Sequence, residues 1–127
     1  MAWVTVWRTS LLRRAETRPG RAVVATILAG CSPVRVITSA NGRVVWVTAR
    51  GSNAVLGFSA ARLLTRPRHA LVAHVQVGAA PVGLALVDNG IRLVVAGSNR
   101  FGEKGASSNL AVISVGRRLL AGRRCSR

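Results

Sequence analysis

The chain alternates between short apolar runs and short polar connections along most of its length. The runs are rich in valine, isoleucine, threonine and leucine, and the connections contain glycine, proline, asparagine and serine. This pattern is typical of antiparallel strands joined by short turns. It predicts about nine strands, and the clearest occupy 34–38, 43–48, 54–58 and 70–77. A helical turn over 59–64, with Ser59 as its N-cap, interrupts the otherwise all-β pattern.

The pattern of residues repeats after 48 positions. The matched pairs are Thr17–Pro19 with Thr65–Pro67, Gly30 with Gly78, Pro33-Val34 with Pro81-Val82, and Asn41-Gly42 with Asn89-Gly90. Self-similarity at a period of this size indicates a repeat architecture in which each unit packs on its neighbours. Asparagine and glycine both tolerate positive φ, so that each Asn-Gly pair predicts a two-residue type I′ hairpin.

The second copy departs from the first at one place. Asn53–Val55 matches Asn109–Ala111 at a spacing of 56, which implies eight additional residues at 100–107. Four antiparallel strands in a repeat of about 40 to 50 residues form one blade of a β-propeller. The predicted division is the last two strands of a preceding blade, a complete blade, a partial blade that contains the insertion, and a basic tail, over 1–28, 29–77, 78–115 and 116–127.

Several of these segments resemble a known repeat. Val77–Leu86 and its copy Gly30–Val36 are similar to the YVTN-type repeat of bacterial lactonase-like β-propellers. Arg43–Asn53 resembles the second strand of that repeat and the turn that follows, and Ser39–Gly42 stands where the family usually has Ser-Pro-Asp-Gly. The resemblance covers roughly residues 3–115. It implies an incomplete all-β propeller made of four-stranded antiparallel blades.

The resemblance implies more about the fold than about the chemistry. Propellers of this family close about seven blades, and this chain carries about two, so its open faces are expected to pack on remaining blades or on other copies. The Arg-rich ending does not continue the pattern, which favours a fragment of a longer reading frame or a frame-disrupted gene. The predicted function is a binding or scaffold module without catalysis of its own. Some relatives are lactonases acting on sugar-phosphate lactones, so the alternative is a sugar lactone hydrolase whose site needs further blades.

The charge of the chain suggests a further partner. With 19 Lys+Arg against three Asp+Glu, the net charge is +16, a balance that favours nucleic acid or an anionic surface. The arginines are spread along the sequence, however, and the three tryptophans and two phenylalanines are not interleaved with them as in stacking surfaces. A GC-rich coding sequence explains the arginines as well, so Arg-driven nucleic-acid binding is only a second alternative.

The sequence contains few features that indicate the location of the protein in the cell or the pairing of its cysteines. The N-terminus lacks the pattern of a signal peptide, and no apolar run reaches the roughly 18 residues of a membrane span. We therefore expect the chain as written to be cytoplasmic with no membrane span, although full-length relatives can be exported. Cys31 and Cys125 form neither a disulfide framework nor a metal-ligand pattern, and the sequence leaves their pairing open.

Candidate binding residues lie in the connections. In a meander, alternate connections fall at the same end of the sheet, which brings together 30–32, 50–53, 78–80 and 100–108. Loops on a rigid scaffold commonly carry ligand-binding residues. The polar side chains predicted to bind an anionic or sugar-like ligand at this end are Arg35, Arg50, Asn53, Asn99, Arg100, Glu103 and Lys104. The competing interpretation gives them only local roles in the turns.

No catalytic residue, metal site or cofactor is predicted. His69 and His74 are five residues apart near a strand, so their side chains point to opposite faces and do not share a metal. The serines lack a neighbouring histidine and acid in a nucleophile arrangement. The glycines separate strands rather than precede a helix, which excludes a phosphate-binding loop.

Overall fold

The computed structural model describes residues 3–6, 23–98 and 107–115, and for 3–6 it gives the backbone only. The strands of this part are β1 (Trp3–Val6), β2 (Ala25–Leu28), β3 (Pro33–Thr38), β4 (Val44–Ala49), β5 (Ala54–Ser59), β6 (Leu71–Gln76), β7 (Pro81–Val87), β8 (Arg92–Gly97) and β9 (Asn109–Ser114). One short helix, α1 (Ala60–Thr65), joins β5 to β6 and has Ser59 as its N-cap. The predicted all-β class is confirmed.

The nine strands form three antiparallel sheets in chain order. The first sheet pairs β1 with β2, the second contains β3 to β6, and the third contains β7 to β9. Within each sheet, strands adjacent in sequence are adjacent in space. The second and third sheets are therefore simple meanders.

The 48-residue repeat of the sequence is also a repeat of strand register. Thr38 lies opposite Val45 in the second sheet, and their counterparts Leu86 and Leu93 lie opposite each other in the third. Both sheets also have a register irregularity just after their first proline, between Pro33 and Arg35 and between Pro81 and Gly83. The strand register of the first hairpin is thus the same in the second and third sheets.

The prediction of a two-residue type I′ turn is wrong for Asn41-Gly42. Asn89 and Gly90 do have the positive φ that it requires, at 53° and 85°, but Val87 pairs with Arg92, so their loop spans 88–91. Type I′ needs positive φ at both central residues, and in the first hairpin Gly42 has a φ of 67° but Asn41 is not among the positive-φ residues. Ser39 and Val44 close a longer loop through a backbone bond of 2.7 Å from the N–H of Ser39. The Asn41 side chain accepts from the Arg43 N–H at 3.0 Å, and this local bond replaces the left-handed conformation.

The second sheet is covered on both faces. One core lies between the first and second sheets and contains Ile27, Ala29, Val45, Val47, Ala49, Leu56, Phe58, Leu63 and Ala70. The other lies between the second and third sheets and contains Trp46, Val55, Ala73, Leu93, Val95 and Ile113. Alternate residues of β4 enter opposite cores, as the period of two along a strand requires. Stacking of three sheets therefore provides the apolar interior.

Trp46 fits the second core because the residue opposite it is glycine. A Cβ placed on Gly57 would lie 2.7 Å from Cζ3 of Trp46 and 3.0 Å from the Cβ of Ala73. Trp46 is 3% exposed, and its indole N–H has no hydrogen-bond partner. Burial of the ring thus stabilises the interface between the sheets despite the cost of an unsatisfied donor.

The register of β9 differs by one residue from the predicted alignment. Ala49 lies opposite Ala54 in the second sheet, whereas its counterpart Gly97 lies opposite Asn109. The structural spacing from Ala54 to Asn109 is 55 rather than 56, which leaves seven additional residues instead of eight. The physical reason is burial: the observed register places Ile113 opposite Leu93 at 8% exposure. The predicted one would have placed Ser114 there.

Candidate functional site

Three connections meet at one end of the sheets and form a surface that we call the turn face: Gly30–Ser32, Arg50–Asn53 and Gly78–Ala80. The first two are joined by backbone bonds from the Arg50 N–H to the Ser32 carbonyl at 3.0 Å and from the Gly51 N–H to the Cys31 carbonyl at 2.9 Å. In return, the Cys31 N–H donates to the Ser52 hydroxyl at 2.8 Å. These reciprocal bonds hold the two connections at a fixed separation.

Asn53 joins the second connection to the third. It has left-handed backbone angles, with φ 50° and ψ 40°, a conformation that asparagine tolerates better than most residues. Its side-chain oxygen accepts from the Ala80 N–H at 2.9 Å, and its carbonyl accepts from the Val77 N–H at 2.8 Å. These bonds favour the competing interpretation for Asn53, in which the residue serves the turn rather than a ligand.

The third connection is in turn attached to the third sheet. The Ser98 N–H donates to the Ala80 carbonyl at 2.9 Å. The side chain of Asn109, at the start of β9, lies directly against Gly78 and Gly97, so that a Cβ at Gly78 would overlap it. The turn face is therefore continuous from the second sheet to the third.

The predicted site residues have different outcomes. Asn99, Arg100, Glu103 and Lys104 lie outside the described residues. Arg50 is half-buried within the turn face. Arg35 is an exposed residue of β3 whose N–H donates to the Thr48 hydroxyl at 3.0 Å.

The described part of the turn face contains no carboxylate. The single acid of the described residues is Asp88, which lies in the β7–β8 hairpin at the other end and pairs with Arg92 at 2.7 Å. Both of these side chains are more than half exposed. The described turn face therefore includes one guanidinium, that of Arg50, and no carboxylate.

Catalytic and metal-binding groups are not gathered in the part of the chain that the structure describes. It contains no group of three or more histidine, cysteine, aspartate or glutamate side chains that would hold a metal ion. His69 is exposed after α1, and His74 is half-buried in β6. Cys31 is disulfide-bonded, and the other cysteine of the sequence, Cys125, lies outside the described residues. Across the described ranges, no helix has the length and apolar character needed to cross a membrane.

A second surface is an open sheet face of the kind expected from the sequence, although the sequence did not identify its residues. The face of the third sheet turned away from the second, here called the outer face, carries Val94, Leu110 and Val112. Leu110 is 72% exposed and Val112 is 64% exposed. Their exposure follows from the shifted register of β9, since a slip of one residue exchanges the two faces of a strand. The apolar alternation over 110–113 is present in the sequence, but it does not indicate which face is inward.

The geometry defines a class of protein, an all-β chain of stacked antiparallel meanders. Comparison with known proteins does not narrow this class: no protein-family model matches the sequence, and no curated protein matches it. The resemblance to YVTN-type propellers therefore stays a prediction.

Proposed function

We propose that the chain is a partial β-propeller of the YVTN type that serves as a binding or scaffold module. In this role its open sheet faces receive further sheets of the same kind, either from remaining blades or from other copies. The function is one of assembly, and the chain contributes no catalysis of its own.

The observation that carries the proposal is the exposure of the outer face. Val94 of the third sheet is the counterpart of Trp46 in the second, 48 residues earlier. Trp46 is 3% exposed because the third sheet covers it, whereas Val112, opposite Val94, is 64% exposed. The outer face therefore repeats a surface that this same chain buries under a sheet. Two strongly exposed apolar side chains on such a face favour burial against a partner.

A similar opening exists on the second sheet. Val36 lies opposite Val47, on the face that packs against the first sheet, yet Val36 is 53% exposed while Val47 is 1% exposed. The described first sheet consists of two strands, β1 and β2, whereas the second sheet has four. Val36 thus offers a second place for a strand from elsewhere.

Light scattering coupled to size-exclusion chromatography tests this proposal. We expect the wild-type chain to elute as an assembly whose mass rises with concentration, and the double variant Leu110→Lys/Val112→Lys to elute at the mass of one chain. The control is Ile91→Lys/Leu64→Lys, which makes the same change of charge at exposed apolar residues of a turn and of α1. A compact wild-type monomer at all concentrations would overturn the proposal.

A further inference from the structure

The fold brings Arg43 beside three arginines that are close together in the sequence. Seven arginines and no lysine lie in the described part of the chain. Four of them are exposed residues of the β3–β4 hairpin and the β5–β6 connection, which fall at the end opposite the turn face. We call this group the basic corner; it consists of Arg43, Arg62, Arg66 and Arg68.

Hydrogen bonds fix the backbone of the basic corner. The Ala60 N–H, at the start of α1, donates to the Arg43 carbonyl at 2.9 Å and so ties the hairpin to the helix. The Arg66 N–H donates to the Arg62 carbonyl at 2.7 Å, and the His69 N–H donates to the Arg66 carbonyl at 2.9 Å. The backbone segments that carry the arginines of the basic corner are therefore linked by hydrogen bonds.

No described carboxylate pairs with these arginines. Asp88 is at the same end, because its hairpin meets the first one where a Cβ on Gly90 would lie 3.0 Å from the Cβ of Ala40. Its carboxylate, however, is engaged by Arg92 at 2.7 Å. Arg62 and Arg66 are one helical turn apart, a spacing at which like charges destabilise a helix. The corner therefore has four exposed positive charges and no described counter-charge.

We propose that the basic corner binds the phosphate backbone of nucleic acid without reading its sequence. Guanidinium groups bind phosphate oxygens through two parallel hydrogen bonds, and arginine supplies every charge of this surface. Contacts to phosphate supply affinity and position but no sequence information. The tryptophan and phenylalanine side chains that the structure describes, Trp46 and Phe58, are both buried and cannot stack on bases at the corner.

A membrane surface fits the basic corner less well. The exposed large apolar residues of α1 and of the start of β6 are Leu64, Leu71 and Val72, at 38%, 46% and 38%, and each is more than half covered. Binding in the plane of a bilayer depends on an apolar helical face, commonly with aromatic anchors. The six residues of α1 present no such face.

Binding of the full chain to a short labelled DNA duplex of mixed sequence, followed by fluorescence anisotropy between about 50 and 200 mM NaCl, tests the proposal. Each phosphate contact contributes about −0.9 to the slope of log K against log salt concentration. Replacing all four corner arginines by glutamine should therefore make this slope about 3 to 4 units less steep. Replacing them by lysine should keep most of the slope, since the charge remains.

The matched control removes the same number of charges elsewhere, through glutamine at Arg117, Arg118, Arg123 and Arg124. Both glutamine variants lower the net charge from +16 to +12, four charges each. A smaller change of slope in the control supports the basic corner. Equal changes in the two variants would show that only total charge matters and would overturn the site. Absence of duplex binding, or binding to vesicles containing phosphatidylserine but not to the duplex, would also overturn it, and circular dichroism verifies that each variant is folded.

Discussion

At the residue scale, the turns depend on backbone conformations that side chains usually avoid. Residues other than glycine with positive φ in the described ranges are Ser32, Asn53, Ala80, Asp88 and Asn89. Ser32 and Ala80 are counterparts 48 residues apart, with φ of 51° and 49°, and each directly precedes the proline that begins a sheet. The carbonyl of each accepts a backbone bond, from Arg50 and from Ser98 respectively. The positive φ and the accepted backbone bond are thus repeated at these two positions, although one residue is serine and the other is alanine.

Substitution of Asn53 tests the structural role of the turn face. Asn53→Ala removes the acceptor for the Ala80 N–H and places a less tolerant residue in the left-handed region. Each effect costs about 1 kcal/mol, so urea unfolding should show a loss of about 1–2 kcal/mol in the free energy of unfolding.

Two further substitutions of Asn53 separate these effects. Asn53→Asp keeps both the acceptor and the tolerance and should change stability little, whereas Asn53→Gly loses only the acceptor. An alanine variant as stable as the wild type would contradict the role assigned to Asn53.

At the element scale, the sequence is sufficient to locate the strands but not to predict which face of each strand is buried. Alternation of apolar and polar residues predicts the strands of the second sheet to within one residue. The predicted ranges 34–38, 43–48, 54–58 and 70–77 correspond to Pro33–Thr38, Val44–Ala49, Ala54–Ser59 and Leu71–Gln76. The register of β9 could not be predicted, because Leu110, Ala111, Val112 and Ile113 are all apolar and either alternation buries two of them. Packing against Leu93 decides between the alternatives.

The same reasoning applies to the candidate site. The meander placed Arg50 and Asn53 in connections at one end, but it did not reveal that Asn53 is bonded to Ala80, a contact between residues 27 apart. It also did not reveal the basic corner, because Arg43 joins the other three arginines through the bond between the Ala60 N–H and the Arg43 carbonyl. Hydrogen bonds between residues this far apart in the chain cannot be predicted from the local sequence pattern.

A pair of lysine substitutions tests the register of β9. Ile113 is 8% exposed in the second core, so Ile113→Lys should lower the free energy of unfolding by about 3 kcal/mol or more. Leu110 is 72% exposed, so Leu110→Lys should change it by no more than about 0.5 kcal/mol. Chemical unfolding at low protein concentration, which minimises assembly, measures both. The reverse order of effects would show that β9 follows the spacing of 56.

At the scale of the whole molecule, repulsion between like charges destabilises the compact folded state. The net charge is +16, and the described part contains one ion pair, Asp88–Arg92. A compact chain of this length has a radius of gyration of about 14 Å, while the Debye length is about 30 Å at 0.01 M salt and about 10 Å at 0.1 M. At low salt, therefore, all the charges of the folded chain repel one another, whereas at higher salt only neighbouring charges do. The unfolded chain spreads the same charges over a larger volume and gains less from screening.

Thermal unfolding should consequently depend on salt in a defined direction. The midpoint of unfolding should rise as NaCl increases from about 0.01 M to 0.1 M, because screening relieves repulsion mainly in the folded state. The glutamine variant of Arg43, Arg62, Arg66 and Arg68 should unfold at a higher temperature than the wild type in low salt and respond less to added NaCl. Sucrose controls for general exclusion from the protein surface, since it stabilises without screening and should raise both midpoints equally. A wild-type midpoint that falls with NaCl would mean that the arginines are neutralised by favourable ion pairs instead.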